Sequence, residues 1–120
     1  MALTPNSWRP LPALGYALRG IGFLLAERNS RVLLAATAAT AAAGFWARLS
    51  ALEWCAVVAA LAFVWVAEGL NTAVERLTDL VSPDFHPLAG KAKDVAAGAV
   101  LLALAAAVSI GLIVFGGRLL

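Results

Sequence analysis

The sequence predicts an all-α integral membrane protein: an N-terminal amphipathic surface helix followed by three transmembrane helices. Three observations predict it. Of 120 residues, 62% are hydrophobic and 13% charged, against roughly 45–50% and 25% in soluble domains. Val95 to Gly117 runs without a charge, about 34 Å of helix against a hydrocarbon core of ~30 Å. The remaining polar residues concentrate before Val32 and between Glu68 and Asp94, leaving apolar tracts between them. The chain is short enough to be one domain, residues 1–120. Its net charge of +2 is dispersed, which argues against a nucleic-acid partner. The single Cys55 excludes an internal disulfide and reads as a packing residue.

The surface helix is placed at 12–29. Leu11, Leu14, Leu18, Ile21 and Leu25 recur at spacings of three and four, with Arg9 and Arg19 on the other side, the pattern of a helix lying in the membrane interface. Pro10 and Pro12 suit its start. No apolar core followed by a small-residue cleavage site occurs here, so these residues are expected to stay in the mature protein.

The spans are placed at 31–48, 54–80 and 87–117. Arg31 and Arg48 bracket sixteen uncharged residues, about 24 Å of helix that snorkelling arginines can extend. Trp46 and Trp54 straddle the polar link Arg48 to Glu53, where an aromatic belt belongs. Only fourteen apolar or small residues separate Glu53 from Glu68, too few to cross alone, so the second span must continue through Glu68 and Asn71 toward Arg76. A break follows at Val81 to His86, and Pro87 opens the third span. With three spans, Arg9, Arg19, Arg28, Arg31, Arg76, Lys91 and Lys93 share one side, and Arg48 and Arg118 the other. The excess of basic residues puts the N-terminus and the Glu68 to Asp94 stretch on the cytoplasmic side.

That stretch carries the chemistry. On a helix, Glu68, Asn71, Glu75 and Asp79 fall at i, i+3, i+7 and i+11, one stripe of one face. A carboxylate at the end of an apolar span usually faces a site. Lys91 and Lys93 stand in the first two turns of the third span, where the helix dipole favours anions rather than cations. A phosphate held by the lysines and the helix terminus resolves that conflict. Carboxylates beside an asparagine can hold Mg²⁺, which takes few carboxylates plus water and phosphate oxygens. Another carboxylate can deprotonate a hydroxyl, and lysines can neutralise phosphoryl oxygens. These are the parts for phosphoryl transfer at a membrane surface, and Glu27 is available as a further metal ligand. No GxxxxGK[ST] occurs, so a nucleotide would be held without a P-loop.

Plainer readings stand beside these. Glu68 can pair with a lysine inside a helix bundle, Arg76 and Asp79 can be solvated helix-end charges, and Lys91 can be a positive-inside anchor. His86 reads as a helix-entry residue, because no second His or suitable Cys accompanies it.

Glu68-x-x-Asn71-Thr72-Ala73-Val74-Glu75-x-x-x-Asp79, then His86-Pro87-Leu88-Ala89-Gly90-Lys91-Ala92-Lys93-Asp94, closely resembles the signature of the prokaryotic diacylglycerol kinase family, which includes the undecaprenol kinases. With Glu27 ahead of three spans, the resemblance covers nearly the whole chain. It implies a homotrimer in the bacterial cytoplasmic (inner) membrane, with active sites shared between neighbours, ATP as phosphoryl donor and Mg²⁺ as cofactor. The lipid phosphorylated would be diacylglycerol or undecaprenol. Carried over by position, Glu68 is the catalytic base and Glu27 and Glu75 the metal ligands. Glu27, Glu75, Lys93 and Asp94 are the nucleotide-binding residues, and Arg9, Asn71 and Asp79 the substrate-binding ones. The chain departs from the undecaprenol kinase branch at Ser30, where an apolar residue is usual, and at Val32-Leu33.

From other classes, a small proton-coupled multidrug transporter would also be short and helical with an intramembrane glutamate. It would want that glutamate nearer mid-bilayer and has little use for Asn71, Glu75, Lys93 and Asp94 on one membrane face. A non-catalytic bundle subunit leaves the whole polar stretch unexplained.

Overall fold

The computed structural model describes residues 13–120. Arg9 and the start of the surface helix at residue 12 lie outside the described residues. Those residues form four helices and no strands: α1 (Ala13–Leu25), α2 (Arg28–Ala47), α3 (Ala51–Val81) and α4 (Pro87–Leu119). The chain falls into two compact units, Met1–Val32 and Leu33–Leu120.

In the first unit, α1 presents Leu14, Leu18 and Ile21 outward. Its end is tied by Ser30, which is fully buried and whose hydroxyl donates to the Leu24 carbonyl. A helix terminus leaves such carbonyls without intrahelical partners. The serine that departs from the apolar residue usual at this position therefore has a local role: it satisfies one of them.

In the second unit, α2 ends in a left-handed turn. Arg48 adopts φ 56°, the Leu49 N–H reaches the Gly44 carbonyl at 3.2 Å and the Arg48 N–H reaches Phe45 at 3.3 Å. This is the 6→1, 5→2 pairing of a Schellman cap, with arginine where glycine is usual. Gly44 is required by the packing beyond it, because a Cβ there would stand 2.5 Å from Trp54 Cη2 and 2.9 Å from Cζ2. Trp54 in turn meets Phe45 with ring centroids 4.9 Å apart. The hydroxyls of Thr37 and Thr40 donate to Leu33 and Ala36 one turn back at 2.7 Å, and Trp65 Nε1 donates to Thr37 Oγ1 at 3.0 Å. These polar groups of α2 thus find partners without water.

Helix α3 begins at Ala51 rather than at 54, because Ser50 and Glu53 form a capping box. The Glu53 N–H donates to Ser50 Oγ at 3.2 Å and the Ser50 N–H to Glu53 Oε1 at 2.9 Å. At the other end the Ser82 N–H closes on Thr78 O at 2.8 Å, and His86 caps α4 by accepting the Leu88 N–H on Nδ1 at 3.1 Å. Pro87 takes the first helical position, where its missing N–H costs nothing. Helices α3 and α4 pack along each other through Val57, Ala60 and Val64 on one side and Ala103 and Val114 on the other, all buried. Arg118 Nε bridges both carboxylate oxygens of Glu53 at 2.8 and 3.1 Å, joining the far ends of the pair.

Both α3 and α4 are long and apolar enough to cross a membrane. Their outward faces carry Val58, Phe63, Val66, Leu101, Leu112 and Ile113, all exposed, far more apolar surface than a soluble monomer shows. This is a membrane protein. Cys55, expected to pack, is exposed on α3.

Candidate active site

Val57, Ala60, Val64 and Asn71 make one buried face of α3, and the polar residues continue it toward the helix's C-terminal end. Glu68 comes first. It is partly buried, and within its unit it makes no hydrogen bond or ion pair among the described residues. One turn on, Asn71 is only 8% exposed. Its Nδ2 donates to Glu75 Oε1 at 3.3 Å, while its Oδ1 is buried with no partner. A buried acceptor without a donor costs roughly 1–3 kcal/mol, and such groups mark places where a ligand or water completes the structure.

Asp79, one turn beyond Glu75, meets α4. Lys93 Nζ donates to Asp79 Oδ1 at 2.6 Å, and both side chains are substantially exposed. An exposed pair of this kind contributes little to stability and separates readily, so Lys93 can exchange Asp79 for another anion. Asp94 is exposed beside it. From Glu68 to Asp79 the stripe rises about 16 Å.

Glu27 belongs to the first unit. It sits in the junction between α1 and α2, its N–H on the Leu24 carbonyl and its own carbonyl accepting from Ser30 N–H, each at 3.1 Å. Among the described residues no three His, Cys, Asp or Glu side chains cluster as a metal cage.

The Asp79–Lys93 pair is not anticipated from sequence, where the family resemblance makes Asp79 a substrate residue and Lys93 a phosphate ligand. A five-residue connection between antiparallel helices brings position 79 within reach of a long side chain at 93, but which lysine arrives depends on helix rotation. For Lys91 the sequence supports both a positive-inside anchor and a phosphate ligand. This lysine lines an apolar groove between α3 and α4 together with Asn71.

Comparison with known proteins decides the family. The profile described as prokaryotic diacylglycerol kinase matches residues 15–115. The chain belongs to the prokaryotic diacylglycerol kinase family. Membership places it among the lipid kinases, a class of phosphotransferase. It is 40% identical over 89 residues to an undecaprenol kinase of Bacillus subtilis (strain 168), covering 74% of this chain and 72% of that one. A diacylglycerol kinase of Synechocystis sp. is 38% identical over 115 residues, 91% of this chain and 66% of that one, so the chain spans just under two thirds of that relative. The diacylglycerol kinase of Escherichia coli (strain K12) is 29% identical over 111 residues, 88% of this chain and 87% of that one. Membership in a kinase family leaves no room for the transporter.

Proposed function

We propose that this diacylglycerol kinase family member transfers the γ-phosphoryl group of ATP to the hydroxyl of a membrane lipid, converting diacylglycerol to phosphatidic acid. The observation that supports it best is the single polar stripe on α3, which opens with the unengaged Glu68 where the apolar tract ends and finishes at the cation of α4. Glu68 takes the lipid hydroxyl proton, that oxygen bonds to the γ-phosphorus, and the bond to the β-phosphate oxygen breaks to release ADP. Asn71 positions the lipid headgroup beside Glu68, its Oδ1 accepting from an ordered water that bridges to the lipid. Lys93 leaves Asp79 for the nucleotide phosphates, with Asp94 beside it, and Asp79 turns to the lipid headgroup.

Glu75 and Glu27 are the carboxylates we assign to Mg²⁺. Both are hard oxygen donors of the kind Mg²⁺ takes in small number, water and phosphate oxygens completing its shell. Bound there, the metal would supply charge neutralisation at the phosphates. In the full reading α2 also crosses the membrane, as the first of three spans, and three protomers assemble with shared sites. The N-terminus and the stripe then face the cytoplasm at the bacterial inner membrane, where ATP is found, and Arg9 faces the lipid.

A second reading, undecaprenol as the lipid alcohol, is favoured by the 40% identity to the Bacillus subtilis undecaprenol kinase. One experiment tests both. Purified protein is given labelled ATP and vesicles containing diacylglycerol and undecaprenol together, and the labelled lipid is identified. Labelled phosphatidic acid supports the first reading and labelled undecaprenyl phosphate the second. ATP hydrolysis with neither lipid labelled overturns both.

A further inference from the structure

Along the seam between α3 and α4 runs an open groove of about 930 Å³. Its wall is apolar, with Phe63 and Leu102 toward one end and Val74 and Leu88 toward the other. Only Asn71 and Lys91 bring polar side chains to it, both in the half nearer the 82–86 connection. From Lys91 to Leu102 the apolar trough runs about 16 Å at ~1.5 Å per residue. A trough polar at one end and greasy along the rest has the shape of an amphiphile.

The charge at the polar end selects the kind of amphiphile. Lys93 is engaged by Asp79. Lys91 is exposed, and within its unit it has neither an ion pair nor a hydrogen bond among the described residues. Asp94, three residues on, is its helix neighbour by spacing, yet the two remain unpaired. A free ammonium in the first two turns of α4, beside amides that also favour anions, calls for a phosphate at that level. A second copy of the chain laid into this groove would have to bring a carboxylate to Lys91, and a neutral lipid would leave it unmatched.

We propose that the α3–α4 groove seats one chain of an anionic phospholipid whose phosphate is held by Lys91. This is a binding site for a bilayer lipid, distinct from the reacting alcohol, and it goes beyond the phosphoryl-transfer reading. Basic residues at a membrane surface favour anionic lipids by about fivefold each, and the groove adds the positional selection that an exposed anchor lacks.

The test uses the full chain in detergent without ATP, so its outcome does not depend on the kinase reading. Dioleoyl phosphatidylglycerol and dioleoyl phosphatidylcholine are titrated in parallel arms, and native mass spectrometry reads bound lipid and oligomeric mass together. Wild type should retain phosphatidylglycerol about fivefold better than phosphatidylcholine. Lys91→Gln should abolish that preference and Lys91→Arg should keep it. Ala99→Phe, which fills the trough, should lower retention of both lipids, whereas Ala105→Phe, outside the groove and exposed, should change neither. Equal retention of the two lipids by wild type overturns the proposal, as does a preference that survives Lys91→Gln. Loss of preference in Lys91→Gln with normal retention in Ala99→Phe would make Lys91 a diffuse anchor. A changed oligomeric mass in Ala99→Phe with unaltered lipid retention would make the groove a contact between copies.

Discussion

Asn71 is a place where stability and activity should part company, and Asn71→Leu tests this. Leucine keeps the branched shape and replaces Oδ1 and Nδ2 by methyl groups. What is lost is the Nδ2 bond to Glu75, which at 3.3 Å is longer than the usual 2.7–3.2 Å range. Bonds to charged groups contribute about 1.5–3 kcal/mol at good geometry, so this long one is placed near 1 kcal/mol. What is relieved is the cost of a donorless buried acceptor, about 1–3 kcal/mol. Glu75 is exposed and regains water. The balance runs from no change to about 2 kcal/mol of added stability, read by denaturant or thermal unfolding in detergent with circular dichroism. Lipid phosphorylation by the same preparation should fall at least about tenfold, the effect of losing a water-bridged hydrogen bond to the lipid. A variant destabilised by more than about 2 kcal/mol would falsify the account of Oδ1 as unsatisfied. Full activity would remove Asn71 from the lipid site.

Glu68→Gln should fold normally while turnover drops roughly 10²- to 10⁴-fold, since an amide cannot accept the proton; near-wild-type turnover would shift the base role to Asp79. Glu75→Gln and Glu27→Gln should each raise the Mg²⁺ concentration needed for half-maximal rate at saturating ATP, each removing an anionic ligand. Unchanged half-saturation in both would place the metal elsewhere. Lys93→Met should raise the ATP requirement about ten- to a hundredfold while lipid dependence stays close to wild type; equal weakening in both saturation curves would mean damaged packing instead. Gly44→Ala should destabilise the fold by about 1 kcal/mol, because the overpacking cost of about 1–3 kcal/mol against Trp54 exceeds the helix gain of about 0.5–1 kcal/mol. The loss should shrink in a Trp54→Phe background, and a stabilised Gly44→Ala would contradict the observed contact.

Local rules made much of the molecule legible before its structure. Spacing alone placed Glu68, Asn71, Glu75 and Asp79 on one face, and Pro87 marked the start of α4. The early start of α3 was also written locally, in Ser50 and Glu53 three residues apart, a capping signal that hydropathy counting passes over. Features that depend on two helices were not legible. Lys93 rather than Lys91 reaching Asp79 depends on how α4 is rotated against α3, and nothing within either helix specifies that angle. The donorless state of Asn71 Oδ1 is likewise a property of its surroundings. Arg48 in a left-handed turn is a third case, since glycine is the residue that announces such a cap.

The bridge between Glu53 and Arg118 lies some 25 residues of helix from the opposite bond, Asp79 to Lys93. Two antiparallel rods packed along their length and tied at both extremities resist sliding. A one-turn slip, about 5.4 Å, would break both pins at once. The pair is therefore gauged, like a vernier locked at two marks, and the stripe on α3 is held at one setting against α4. If Lys93 lets go of Asp79 to meet a phosphate, the Glu53 pin still keeps the setting. Cutting that remote tie with Arg118→Gln would loosen the register and disturb the proposed site from the opposite end of the two helices.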